Sequence, residues 1–269
     1  MRREVTGLAV LTVATALLAT SAHAQERDFE WSGRMTTDQA LSVRGISGDV
    51  VAHPATGSEA RVEARKTGRA SDFDRVDVVM SDEGDELVFC VVYDGRRGAS
   101  DCDRGWDGED DREGREVRAG VDFVVYVPAG VRFSGHTVSG DVEALDLRSD
   151  VDAATVSGNV TVSTTGVAEG RTVSGDVDVE MGSLDWRRLD FATVSGDITV
   201  RVPDELDAGV RFQSLSGDFD SDFDMTVHRK RDHFVSHELE ATIGDGSRAL
   251  TFKTVSGDVR LRRGRTTLR

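Results

Sequence analysis

The sequence predicts an all-β protein, a β-solenoid of the parallel β-helix kind with repeats of about 17–21 residues, preceded by a strand-rich N-terminal region. Two observations carry this. Apolar residues alternate with polar ones over short runs almost throughout, which is the period of a strand. One hexapeptide also recurs: "TVSGDV" stands at 137–142, 172–177 and 254–259, with "TVSGNV" at 155–160 and "TVSGDI" at 193–198. A catalytic motif is needed once, whereas a structural unit that is built several times must be spelled several times.

Residues 1–24 read as a secretory signal peptide. Arg2 and Arg3 precede an apolar run from about Leu8 to Leu18, and Ala22-His23-Ala24 offers a small-residue cleavage site before Gln25. The run is well short of the ~20 residues that span a bilayer, and no Cys follows it to take a lipid. No later stretch approaches spanning length. The expected location is therefore outside the cytoplasm, periplasmic or extracellular and cell-surface.

Residues 25–130 read as an N-terminal β-strand region continuous with the repeat fold. In "ELVFCVVY" alternation puts Leu87, Phe89, Val91 and Tyr93 on one face, and in "VDFVVYVP" it does the same for Val121, Phe123, Val125 and Val127. "LSVRG" and "ARVEARK" alternate similarly. Cys90 and Cys102 are the only cysteines. In an exported chain they most simply form a disulfide, with a metal site as the rival that lacks a convergent His pair.

Residues 131–263 form the repeat region. The motif glycines Gly140, Gly158, Gly175, Gly196, Gly217 and Gly257 are spaced by 18, 17, 21, 21 and 40 residues, the last step close to two repeats with one copy degenerate or displaced. A period near twenty suits one coil that buries its apolar face only by stacking on its neighbours. In "TVSGDVEA" the Ser-Gly-Asp triplet behaves as a bend between two short strands, the glycine permitting a positive φ and Asp a turn hydrogen bond. "GISGDV" at 45–50 stands apart from the array but shares its grammar. Residues 264–269 are a basic C-terminal tail.

These features resemble the DUF4097 family, an adhesin-like domain of exported bacterial proteins. The resemblance rests on "GISGDVVAHP", "VYVPAGVRFSGHTVSGDVEAL", the copies at 155, 172 and 193, and "GDGSRALTFKTVSGDVRL", and covers roughly residues 40–263. It implies a β-solenoid-like fold and an envelope or surface location. It carries no catalytic residues over.

Stacked coils would align Asp141, Asn159, Asp176, Asp197, Asp218 and Asp258 at about 4.8 Å on one edge. The column reads as turn-capping residues, against the alternative of a cation site or the paired carboxylates of a glycan-cleaving enzyme. In "DFDSDFDM", Asp218, Asp220, Asp222 and Asp224 alternate with Phe219, Ser221, Phe223 and Met225, so calcium is a metal candidate there, and an acidic outer strand face explains the same letters. The acids of "DCDRGWDGEDD" (Asp101, Asp103, Asp107, Glu109, Asp110 and Asp111) lack EF-hand spacing. His228, His233, His237 and Glu238 lie in a basic insertion and fit no familiar zinc spacing. No nucleophile–His–acid signature and no phosphate loop is present.

The formal net charge is −16, and loss of the leader makes the mature chain one unit more negative. Such a field disfavours nucleic acid and favours cations or cationic peptides. The function expected is a non-enzymatic exported envelope or surface protein, an adhesin-like binding or scaffold module, with no cofactor and no membrane span. Its partner is an envelope or surface component, protein or glycan, reached through the loop at 95–118 and the insertion at 226–248. The alternatives are a carbohydrate-active enzyme on a solenoid scaffold and an envelope sensor that captures cationic peptides.

Overall fold

The computed structural model of the protein describes residues 28–93, 102, 117–233 and 236–264. The leader, the acids of the 101–111 segment other than its cysteine, and all but the first residue of the C-terminal tail lie outside the described residues.

Alternation is expressed as strands nearly throughout. The first part holds β1 (Phe29–Arg34), β2 (Ala40–Arg44), β3 (Val50–Pro54), β4 (Glu59–Gly68), a 3₁₀ turn (Ala70–Arg75), β5 (Val76–Asp82), β6 (Glu86–Tyr93), β7 (Ala119–Val127) and β8 (Arg132–His136). The repeats supply β9 (Val142–Leu147), β10 (Val151–Ala154), β11 (Val160–Thr164), β12 (Ala168–Arg171), β13 (Val177–Met181), β14 (Arg188–Ala192) and β15 (Ile198–Val202). The chain ends with β16 (Ala208–Ser214), β17 (Phe219–Ser221), β18 (Thr226–His233), β19 (Ser236–Ile243), β20 (Arg248–Lys253) and β21 (Val259–Arg263).

These strands form two sheets. One is ordered β1-β4-β7-β3-β9-β11-β13-β15-β21-β17, the other β18-β19-β16-β20-β14-β12-β10-β8-β2-β6-β5. The central strands of both are parallel, and each coil contributes one strand to each sheet with the SGD corner between them. This is the solenoid expected. Val142, Val160, Val177, Ile198 and Val259 are fully buried or nearly so and stack on one wall, facing Phe133, Leu189, Phe191, Leu250 and Phe252 of the other. No coil could bury its inner face alone, so the stability of the array resides in the stacking.

Two details of coil order differ from the linear reading. The copy at 45–50 does not stand apart: Ser47 bridges Ser139, so β2 and β3 form a coil directly beside β8 and β9. The long step from Gly217 to Gly257 holds a displaced coil and not a degenerate one. The chain lays β16 and β17 one position ahead, turns back through the antiparallel pair β18–β19, and inserts β20 and β21 into the space left between. The insertion at 226–248 is thus an extension of a sheet and not a loop. Both departures are long-range pairings, which a repeat count along the chain does not reveal.

The disulfide joins Cys90 to Cys102. Leu87, Phe89, Val91 and Tyr93 of β6 face the main core as alternation predicts, so Cys90 points to the outside of its sheet, where Val88, Val92 and Cys102 form a small second cluster with Val79. The bridge therefore holds Cys102 against the outer face of the sheet, outside the main core.

Candidate functional site

The repeated corner is built by contacts between coils. Gly175 has φ +147°, and a Cβ there would lie 2.0 Å from the carbonyl oxygen of Gly158 in the coil below. Glycine is thus demanded twice, by the backbone angle and by the close approach of the neighbouring corner. The motif threonine points inward. Thr137, Thr155, Thr172 and Thr193 donate through Oγ1 to the carbonyls of Gly48, Gly140, Gly158 and Gly175, which allows a hydroxyl to be buried beside the core.

The carboxylates act in the same way, each on the next coil. The backbone N–H of Asp141 donates to Asp49 Oδ1 at 2.9 Å, Asn159 to Asp141 at 2.7 Å, Asp176 to Asn159 at 2.9 Å and Asp197 to Asp176 at 2.8 Å. Asp258 donates to Asp197 and Asp218 to Asp258, which follows the spatial order of the coils and not the order of the chain. An amide oxygen serves as well as a carboxylate, since Asn159 accepts as its neighbours do. Each acid therefore caps the turn of the adjacent coil and not its own.

With Thr inside, the next residue is turned outward. Ile46, Val138, Val156, Val173, Val194, Val255 and Leu215 occupy equivalent corner positions in spatial order. Val156, Val173, Val194, Val255 and Leu215 are 40, 44, 45, 42 and 54 % exposed. These five form an exposed aliphatic ladder about 19 Å long at the usual strand spacing, running beside exposed motif serines and the Asp column. Sequence reasoning placed the valine in a strand's apolar alternation and missed the ladder. Two adjacent residues cannot both face the core of an extended strand; Thr takes the inner place at 137, 155, 172, 193 and 254, and Gly45 and Ser214 take it before Ile46 and Leu215.

Arg260 closes part of the column, reaching Asp197 Oδ2 at 2.7 Å and Asp258 Oδ2 at 3.2 Å. Its hydrogen bond to Asp197, with that from the Asp258 N–H, holds the Asp197 carboxyl below the usual carboxylate range. On the outer face of the β8–β10–β12 sheet lies a groove of about 470 Å³ lined in part by Glu86, Ser134, Asp152 and Glu169. Burial pushes the Asp152 carboxyl up, but the hydrogen bond from His136 and the charges of His136 and Arg171 outweigh it, and the net shift is down. Both His136 contacts, to Ser134 and to Asp152, use the same Nε2, so the ring does not relay a proton between them.

The remaining candidates are dispersed. Only Phe219–Ser221 of the "DFDSDFDM" run is strand, and Arg262 pairs with Asp220 at 2.6 Å and Asp222 at 3.0 Å. Asp224 is exposed beyond it. His228 bonds Thr242 on the outer face of the β18–β19 hairpin, whereas His237 lines a cavity on the inner face, so the two imidazoles do not converge. Among the described residues no group of three or more His, Cys, Asp or Glu is placed to hold a metal.

That cavity, about 420 Å³, is lined by Phe212, Phe219, Met225, Val227, Lys230 and Leu239, among others. It exists because the sheet containing β16 continues through β19 and β18, while the facing sheet stops at β17.

A solenoid of paired parallel sheets with a repeated SGD corner defines a structural class of β-repeat proteins. The chain belongs to the family described as Toastrack DUF4097, whose model matches residues 127–262. Three solved structures are similar to it. They are a candidate cell adhesion protein from Clostridium sporogenes (8% identity, 87% of this chain and 99% of that one, TM-score 0.39), a candidate adhesin from Bacteroides fragilis (9%, 87% and 96%, 0.36) and a candidate lipid-binding protein from Parabacteroides distasonis (10%, 86% and 96%, 0.24). A search of the curated proteins found no match.

Proposed function

We propose that this chain is a non-enzymatic exported protein, an adhesin-like binding or scaffold module that meets an envelope or surface component along its corner ladder. The observation that carries the reading is the row of exposed aliphatic side chains on consecutive coils. Soluble proteins seldom expose a continuous apolar strip, and such strips mark interaction surfaces. The strip is not required for folding, because the corner is held by Thr, Gly and Asp, and an exposed polar residue would satisfy the same turn. The disulfide agrees with an oxidising compartment. Among the described residues no helix is long and apolar enough to cross a membrane.

The test is retention on isolated native envelopes of the mature protein and of a Val156→Glu/Val173→Glu/Val194→Glu variant. The variant should keep its circular dichroism spectrum and its unfolding midpoint within a few degrees, and lose at least tenfold in retention. Equal retention of the two proteins overturns the ladder as the contact surface.

A further inference from the structure

The open end of the solenoid is a second, independent feature. Past the last complete coil, β16 with β17, one sheet continues for two strands and the other for none. The inner face of the overhanging hairpin is set by register. Leu239 lies opposite both Phe212 and Lys230, and Ala241 opposite both Val210 and Val227, so all these side chains point to the side where a facing strand is missing. Leu239 and Ala241 are buried, but Val227 is 52 % exposed and borders the cavity.

The rim opposite is the free edge of β17. Its parallel ladder with β21 uses the Asp218 carbonyl, which accepts from Val259, and the Asp222 N–H, which donates to Leu261. By the alternation of a strand, the backbone groups of Phe219 and Ser221 are then directed to the free edge. The outer face of this edge is acidic. Across β13, β15, β21 and β17 one row reads Asp178, Thr199, Arg260, Asp220, so it ends on a carboxylate that is 69 % exposed, with Asp218 beside it and Asp222 and Asp224 just beyond. Asp220 has its arginine, Arg262, on the β21 side; among the described residues the sheet ends at β17, and none of its strands places a counter-charge at the next position outward.

We propose that the open end captures an extended peptide segment of alternating apolar and basic residues, which pairs with the free edge of β17. The apolar side chains enter the cavity against Phe219, Val227 and Leu239, and the basic ones lie over Asp218 and Asp220. This is strand addition, in which backbone hydrogen bonds supply affinity and alternate pockets supply specificity. The cavity lies within the usual range of about 300–1,000 Å³ for bound ligands. The segment would serve as the missing strand of the shorter sheet. The proposal rests on the reading of the chain as a binding module, but it uses other residues than the corner ladder.

The experiment uses the mature protein and a fluorescein-labelled nonapeptide alternating valine and lysine, with its lysine-to-glutamate counterpart as control, followed by anisotropy. Saturable binding of the lysine peptide is expected. It should weaken at least tenfold in Asp220→Lys, which inverts the rim charge, and in Val227→Trp, which fills the cavity from an exposed position, and it should be unchanged in the Val156→Glu/Val173→Glu/Val194→Glu protein. No saturable binding, equal binding of the glutamate peptide, or indifference to both end variants overturns the proposal. A concentration-dependent dimer abolished by Val227→Trp, seen in sedimentation without added peptide, would also overturn it, with a second copy as the occupant. Failure here with ladder-dependent envelope binding intact leaves the proposed function standing, and the reverse result removes only the ladder.

Discussion

The two ends of the solenoid meet the same problem, an exposed core cross-section, and solve it differently. At the N-terminal end both sheets continue past the first coil, one through β7, β4 and β1 and the other through β6 and β5. Phe29 and Trp31 pack against Phe89 at ring distances of 6.0 and 5.2 Å, and Phe73 of the 3₁₀ turn joins the same core. At the C-terminal end only one sheet continues, and a cavity remains between Phe212, Phe219 and the hairpin. The hydroxyls differ in the same sense: the motif threonines from Thr137 to Thr193 are bonded, whereas Ser214 and Thr254 near the open end are buried without a partner in the structure. A solenoid end that is capped on both walls behaves as core. One capped on a single wall leaves a cavity.

The largest effect is expected between the ends, where every coil depends on its neighbours. Gly175→Val places a β-branched side chain at φ +147° and drives its Cβ into the Gly158 carbonyl. The expected cost exceeds about 3 kcal/mol, so the variant should be unfolded or should unfold at much lower urea. Next, Phe89→Ala at the closed end removes a fully buried ring and should cost about 3–5 kcal/mol. Phe219→Ala borders an existing cavity and should cost roughly 1–2 kcal/mol. Equal costs in urea unfolding would break the contrast between the ends.

Replacing both Cys90 and Cys102 by Ser should lower stability by about 3 kcal/mol and leave the repeat fold intact. The bridge belongs to the small outer cluster and not to the main core. Loss of the far-ultraviolet strand spectrum would show that the closed end depends on it.

Smaller still is the effect of acid. Asp152 and Asp197 have carboxyls held below their ordinary range. Their stabilising contribution is therefore fully present above the unfolded value of about 3.9 and is lost as pH falls through the lower folded values. Urea midpoints should respond little to these groups between pH 5 and 8 and should fall below about pH 4. The smallest change is Asp176→Asn, expected to cost less than about 1 kcal/mol, because an amide oxygen still accepts the next coil's N–H, as Asn159 does for Asp176.

Much of this was legible in the sequence, unevenly. The strand character of "ELVFCVVY" and "VDFVVYVP", and the coil period, follow from alternation and repetition, and both are local. The partner of each Asp was not legible, because "SGD" spells a turn equally well whether the carboxylate caps its own coil or the next. Nor was the outward valine: a run of Thr-Val reads as apolar alternation with either residue inside, and the choice is made by contacts with the neighbouring coil, such as the bond from Thr172 to the Gly158 carbonyl. The exchange of the last two coils, and with it the open end, depends on pairings 40 and more residues apart. Counting periods along the chain assigns coils in order, and this chain does not stack them in order.

The central claim is that one end is closed core and the other an open site, and native-state hydrogen exchange tests it most directly. Amides of β7 and β4 should exchange slowly, at rates near those set by global unfolding, while the edge-directed amides of Phe219 and Ser221 and those of β18 should exchange at least a hundredfold faster through local opening. Comparable protection at both ends, with β17 and β18 exchanging only on global unfolding, would contradict the account.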